Sequence, residues 1–140
     1  MSRPVSALDE LLGSMRPMLD EGVYVFVSIP LGTATHGLDP IATFREAEGL
    51  TLILAEAQAQ RAGLAALFRA AWITLTVHSD LEAVGLTAAV ASALTDAGIS
   101  CNVVAAAYHD HLFVPVESGP RALAVLQALQ RGGDPGTTGE

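Results

Sequence analysis

Several short runs along the chain alternate apolar and polar residues with the period of two that a half-buried strand shows. In the run WITLTVH, for example, Ile73, Leu75 and Val77 alternate with two threonines and with His78. Other runs are short and rich in β-branched and aromatic residues, which also favour strands. These patterns predict strands or extended segments at residues 23–29, 41–45, 50–54, 72–78, 99–107 and 111–116.

Four further segments repeat their apolar residues with a helical period or are rich in alanine and leucine. In the first of them, Ser6 can cap the helix, and Pro17, which lacks an amide donor, ends it. Residues 30–40 form a loop rich in glycine and proline, and residues 132–140 show no periodicity and are expected to be a disordered tail. The predicted helices span residues 6–15, 55–67, 82–97 and 120–129.

The order of these elements repeats as helix, strand, strand and helix, with the 72–78 strand between the two copies. Residues 20–23 (DEGV) match residues 96–99 (DAGI), and residues 48–50 (EGL) match residues 110–112 (DHL) at a shorter spacing. The first copy therefore carries an insertion between its two strands, in the glycine- and proline-rich loop. We accordingly predict an N-terminal unit at residues 1–70, with a loop insertion at 30–43, and a C-terminal unit at residues 71–131.

Two such units predict an α+β fold, with mainly antiparallel sheets and helices packed on one face. The other face of the sheet, or its edges, would then be free to pair with a second subunit, and we expect a homodimer. A length of 140 residues and a hydrophobic content of 51% are sufficient for a substantial core.

The charge and composition narrow the range of partners and compartments. Seven basic and 15 acidic residues give a net charge of −8, which argues against nucleic acid or an anionic membrane as a partner. No apolar run approaches the eighteen or so residues that cross a bilayer, and acidic residues occupy the place of a signal peptide's apolar region. The single cysteine, Cys101, fits a reducing compartment. We expect a cytoplasmic protein.

The run from Trp72 to Leu129 resembles an ACT domain, through the segments ITLTVHSDLEAVGLTAAV, DAGISCNVVA and YHDHLFVPV. Together with ATFREAEGLTLIL in the first half, these segments are similar to the small bacterial proteins of tandem ACT-like type. The resemblance covers roughly residues 5 to 130. It implies ferredoxin-like units and regulatory binding of an amino acid or a similar small molecule, often at an interface between ACT units. Because such domains usually regulate an attached enzyme and this chain has no room for one, we expect a stand-alone regulator with a separate regulated partner.

The resemblance also implies where a ligand would bind. The corner after the 72–78 strand corresponds to the loop that lines the effector site in this family, and Asn102 matches a position where some ACT domains place a polar side chain on the ligand. A ligand carboxylate would suit the free amides at the start of the following helix. Helix capping alone accounts for Ser79 and Asp80, and Gly85 is explained as well by close helix–sheet packing as by ligand approach. The predicted ligand-binding residues are Ser79, Asp80, Val84, Gly85, Leu86 and Asn102.

Two alternatives belong to other functional classes. His78, His109, Asp110 and His111 could form a metal-dependent active site, since strand alternation places His109 and His111 on one face. The same residues lie at a predicted turn, where polar side chains are common. The second alternative is an assembly module whose sheet pairs with another protein and binds no ligand. No complete catalytic constellation or phosphate-binding loop is present, so we predict neither an enzyme nor a cofactor.

Overall fold

The first helix ends where its sequence predicts, and an unpredicted strand follows it. In the computed structural model, which describes residues 7–76 and 85–133, α1 spans Ala7–Ser14 and β1 spans Pro17–Leu19. Proline is tolerated as the first residue of a strand, where its missing amide donor costs no ladder bond. Pro17 therefore separates a helix from a strand that is too short to be recognised from its own sequence.

The remaining strands and helices follow the predicted order with shifted ends. The predicted 55–67 helix is shorter than expected, because Gly63 adopts a left-handed φ of 70° just beyond its end. The central strand begins at Phe68, four residues before its predicted start at Trp72. The elements are β2 (Tyr24–Ile29), β3 (Ala42–Glu46), β4 (Gly49–Ala55), α2 (Glu56–Arg61), β5 (Phe68–Leu75), α3 (Leu86–Asp96), β6 (Asn102–Ala105), β7 (Asp110–Pro115), a 3₁₀ turn (Val116–Ser118) and α4 (Gly119–Gly133).

The seven strands of the described residues join one antiparallel sheet, in which six follow the order β3-β4-β2-β5-β7-β6 and β1 also pairs with β5. Residues 70–75 of the central strand β5 pair along its second edge with β7. Its first edge is divided: residues 68–70 pair with β2, and residues 73–75 pair with β1. Consecutive strands β1 and β2 thus lie end to end along β5, as an interrupted strand would.

This division gives both halves of the sheet the same strand order. In the first half, the strands lie in the order β3-β4-β2, and the start of β5 is the fourth strand. In the second half, they lie in the order β6-β7-β5, and β1 is the fourth strand. Strands β4 and β7 are equivalent, as the match between residues 48–50 and 110–112 predicts. The match between residues 20–23 and 96–99 is wrong, because it equates the interior strand β2 with the edge strand β6. The predicted boundary between residues 70 and 71 stays a prediction, since β5 spans it.

The helices and two of the three clusters of buried residues lie on one face of the sheet. Leu12 and Met15, at the end of α1, pack in the same cluster as Leu94 of α3 and Leu126 of α4. A smaller cluster places Ala59 of α2 against β2 and β4. Val25 of the smaller cluster pairs with Arg69, which is two residues from Ala71 of the larger one, so both clusters share a face. The α+β class with helices on one face is therefore confirmed.

Candidate ligand-binding sites

The predicted corner between β5 and α3 is described only on its helical side. Gly85 occupies the N-cap position of α3 with φ of 103°, a left-handed conformation that L residues with side chains rarely adopt. A Cβ at this position would lie 3.5 Å from a methyl carbon of Leu8, which is an ordinary contact. Backbone conformation, not crowding, is therefore what demands glycine here. Ser79, Asp80 and Val84 lie outside the described residues.

The two remaining predicted residues point away from each other. The Leu86 side chain is buried with Val90 and Leu94 on the helical face. Asn102 is exposed on β6 and pairs with Phe113, whose side chain lies on the opposite face. The structure therefore does not bring these two side chains together. At the corner itself, the N-cap residue is glycine, which has no side-chain oxygen. The backbone amides in the first turn of α3 therefore donate no hydrogen bond to the N-cap side chain.

The face without helices carries a cluster of aromatic residues that the sequence analysis did not identify. We call this face of the sheet the curled face. Tyr24 meets Trp72 edge to face with ring centroids 5.2 Å apart, and Phe26 meets Phe113 in the same way at 5.4 Å. Phe113 is only 2% exposed although no helix covers it. A signal was present in the sequence: the aromatic residues of β2 and β5 occupy the positions that alternate with the buried Val and Ile residues.

The sheet curls enough for its two edges to border one cavity of about 140 Å³. Ile41 and Ala42 line it from the β3 side, and Val104 and Ala106 line it from the β6 side. Trp72, His111 and Phe113 complete the lining. Trp72 and Phe113 are stacked, with an interplanar angle of 18° and ring centroids 6.3 Å apart. The cavity walls are therefore largely apolar and partly aromatic.

His111 is the polar group of this cavity, and its neighbours fix its tautomer. Trp72 Nε1, which can only donate, lies 3.0 Å from His111 Nδ1, and Thr74 Oγ1 lies 3.2 Å from the same nitrogen. Nδ1 is therefore the acceptor, and the proton of the neutral ring is on Nε2. Burial and the neighbouring His109 lower the pKa of His111, while Asp110 opposes them. The neutral form is the one that the cavity favours.

The residues proposed for a metal site are not arranged as a metal-binding group. Within residues 7–76 and 85–133, no three His, Cys, Asp or Glu side chains are placed to hold an ion. His111 Nδ1 is occupied by Trp72, and His109 Nδ1 is buried without a hydrogen-bond partner. His78 lies outside the described residues. The geometry that would favour a metal-dependent enzyme is therefore lacking in the described part of the chain.

A second cavity, of about 480 Å³, opens where β1 gives way to β2 along β5. Asp20, Glu21, Trp72 and Thr74 are among its lining residues. The Asp20 carboxylate accepts hydrogen bonds from the Gly22 amide at 2.7 Å and from the Tyr24 hydroxyl at 3.0 Å. We call this cavity the seam crevice, because it lies where the two halves of the sheet meet. The carboxylates of Asp20 and Glu21 in this crevice suit a cationic group on a ligand.

Comparison with known proteins places this architecture in a family. Two family models, each described as an ACT domain, match residues 4–71 and 68–128, and they overlap within β5. The chain belongs to the ACT domain family, with two units in tandem. ACT domains are ferredoxin-like, regulatory modules. No curated protein matches the sequence.

Solved structures share the fold over more than four fifths of this chain. A Vibrio cholerae protein, described as of unknown function and a possible transport protein, is 50% identical with a TM-score of 0.81, over 89% of this chain and 96% of that one. The ligand-free regulatory subunit of aspartate kinase from Thermus thermophilus is 13% identical with a TM-score of 0.56, over 81% and 95% of the two chains. Escherichia coli aspartokinase III, bound to aspartate and ADP, is 10% identical with a TM-score of 0.59, over 82% of this chain and 32% of that one.

Proposed function

We propose that this protein is a cytoplasmic, non-catalytic regulator that binds a small amino acid-like effector and acts on a separate protein partner. The observation that supports this proposal most is the tandem pair of ACT units that meet at a shared strand. The likeness to aspartate kinase regulatory subunits is consistent with it. Among the described helices, none combines the length and apolar character needed to span a membrane.

Two places could hold the effector, and both suit an amino acid. At the β5–α3 corner, the first-turn amides of an 11-residue helix favour a carboxylate. In the seam crevice, Asp20 and Glu21 favour an ammonium group, and Trp72 offers an aromatic wall. We favour the corner, because it is the position that the family resemblance implies.

Calorimetric titration with each of the standard amino acids tests the proposal. We expect at least one to bind, and the absence of any binding at millimolar concentration would contradict the effector role. Asn102→Ala tests whether Asn102 contributes to the site, since the structure places its side chain on the face opposite Leu86. Thr43→Ala is the matched control, because Thr43 is also an exposed polar residue on an edge strand. Unchanged affinity in a folded Asn102→Ala protein would remove Asn102 from the site.

The seam crevice needs its own variant. Asp20 holds the Gly22 amide and the Tyr24 hydroxyl, so its replacement would disturb the turn as well as the crevice. Glu21→Gln removes one negative charge without touching those two bonds. If Glu21→Gln weakens effector binding and Asn102→Ala does not, the ammonium-binding crevice is the effector site.

We also propose that the protein forms a homodimer, as the open sheet predicts. Phe44 and Met18 are 71% and 61% exposed, and strand pairing places both on the curled face. Exposed apolar side chains on an uncovered sheet favour contact with a second subunit. Sedimentation velocity at micromolar protein concentration should show twice the 14.5 kDa chain mass. A strictly monomeric mass would contradict this proposal.

A further inference from the structure

The cavity on the curled face shares Trp72 with the seam crevice, but its other lining residues are different and it has a different chemical character. We infer that it is a binding site for a small, uncharged ring molecule that carries one hydrogen-bond acceptor. This inference does not depend on the proposed effector role. It rests on the size of the cavity, the nature of its walls and the orientation of its single imidazole.

The size of the cavity corresponds to one six-membered ring. Its volume is about 140 Å³. An apolar protein cavity of about 150 Å³ stays dry and binds benzene, so a space of this size and lining is sufficient for a single ring. The stacked rings of Trp72 and Phe113 provide flat surfaces, and Ile41 and Val104 add aliphatic contacts from the two sheet edges. A flat apolar molecule is the shape that these walls complement.

The imidazole of His111 adds a requirement for an acceptor atom. Its Nδ1 accepts from Trp72, so the neutral ring carries its proton on Nε2. Among the described residues, no acceptor is found for that proton, and His111 Nε2 is not among the buried unpaired atoms. A ligand that reaches His111 can therefore accept a hydrogen bond from Nε2.

The electrostatic surroundings favour an uncharged ligand. His111 is held neutral by the Trp72 bond, so a ligand carboxylate would find no cation beside it. The other lining residues, Ile41, Ala42, Val104, Ala106 and Phe113, carry no charge, so a ligand cation would find no partner either. Transfer of an unpaired charge into such a space is costly. A ring nitrogen or a carbonyl oxygen is the kind of acceptor that fits.

Pyridine and benzene form a matched pair of probes for this site. They have nearly the same shape, and only pyridine carries an acceptor; slightly alkaline buffer keeps both pyridine and His111 neutral. Trp72 is the only tryptophan in the chain, so its indole N–H, which is bonded to His111, gives a single indole resonance in a nitrogen-15 correlation spectrum. Because Trp72 also borders the seam crevice, the cavity-filling variant below assigns a shift of this resonance to the cavity on the curled face. We expect saturable shifts with both probes, and roughly two- to tenfold tighter binding of pyridine.

Three variants make the test specific. Ala42→Leu fills the cavity from the β3 side and should abolish binding of both probes. His111→Phe should abolish the advantage of pyridine while benzene still binds, whereas Thr74→Val, which leaves the His111–Trp72 bond in place, should preserve that advantage. Far-ultraviolet circular dichroism checks that each variant is folded, and Val104→Phe replaces Ala42→Leu if that variant unfolds. The inference is overturned by the absence of saturable shifts, by full binding in the filled variant, or by an undiminished pyridine advantage in His111→Phe.

Discussion

Replacement of Met15 by alanine tests whether the N-terminal segment, in which Met15 directly follows α1, is part of the core that the C-terminal half forms. Met15 is completely buried, at 0% exposure, in the cluster that contains Ile73, Leu94 and Leu126. Truncation of a buried methionine removes its transfer free energy and leaves a cavity, which together cost about 2–5 kcal/mol. That is a large fraction of the roughly 5–15 kcal/mol by which a domain is stable.

The matched control lies three residues further along the chain. Met18→Ala is the same substitution at a side chain that is 61% exposed in the single chain, and we expect a change within about 0.5 kcal/mol at protein concentrations at which the chain is monomeric. Urea denaturation should be followed in parallel by Trp72 fluorescence and by circular dichroism. We expect the two probes to coincide and the midpoint to fall for Met15→Ala alone. A cost below about 1 kcal/mol for Met15→Ala, or equal costs for the two variants, would show that Met15 does not contribute to this core.

Three further predictions concern single residues elsewhere in the chain. Gly49→Ala should destabilise the protein by about 1–3 kcal/mol in urea titrations, because the new Cβ would lie 2.8 Å from the backbone oxygen of Ile29; Gly132→Ala, with nothing within 4 Å, should not. The pKa of His111 is lowered in the folded protein, so the unfolded chain takes up a proton at this residue more readily. The free energy of unfolding should therefore fall as the pH drops through 6.5. His111→Phe should flatten this part of the profile when the urea midpoint is measured between about pH 8 and pH 5. Burial raises the pKa of Cys101 to about 11, so iodoacetamide should alkylate it much more slowly at neutral pH than it alkylates the urea-unfolded chain, as followed by mass spectrometry; equal rates would contradict the burial of the thiol.

The parts of the fold that the sequence predicts are those determined by local patterns. β2 and β4 alternate strongly or are rich in β-branched residues, and their observed limits differ from the predicted ones by one residue at most. β1 could not be predicted, because three residues that begin with Pro17 carry no pattern of their own. It exists because Met18 and its neighbours pair with residues 73–75, more than 50 positions away. Long-range pairing of this kind leaves no local signal.

The candidate sites also differ in whether a local sequence pattern predicts them. The Gly85 corner follows from a local motif, and the structure places that glycine at the start of α3. The cavity beside His111 depends on the curl of the whole sheet, which brings β3 and β6 to the same space. Alternation identifies which side chains share a face, but it does not reveal how strongly that face bends. The role of His111 was therefore considered from the sequence only as a metal ligand.

The division of β5 between two units restricts how one site can influence another. Ala70 is buried on the curled face and Ala71 on the helical face, so a slip of β5 by one residue would exchange the two faces throughout the strand. A sliding movement is therefore too costly to serve as a signal. A change in the curl of the sheet preserves every strand pair and alters the distance between its free edges at β3 and β6. We expect effector binding near the end of β5 to act through that curl, and a ligand in the cavity on the curled face would then respond to the same movement.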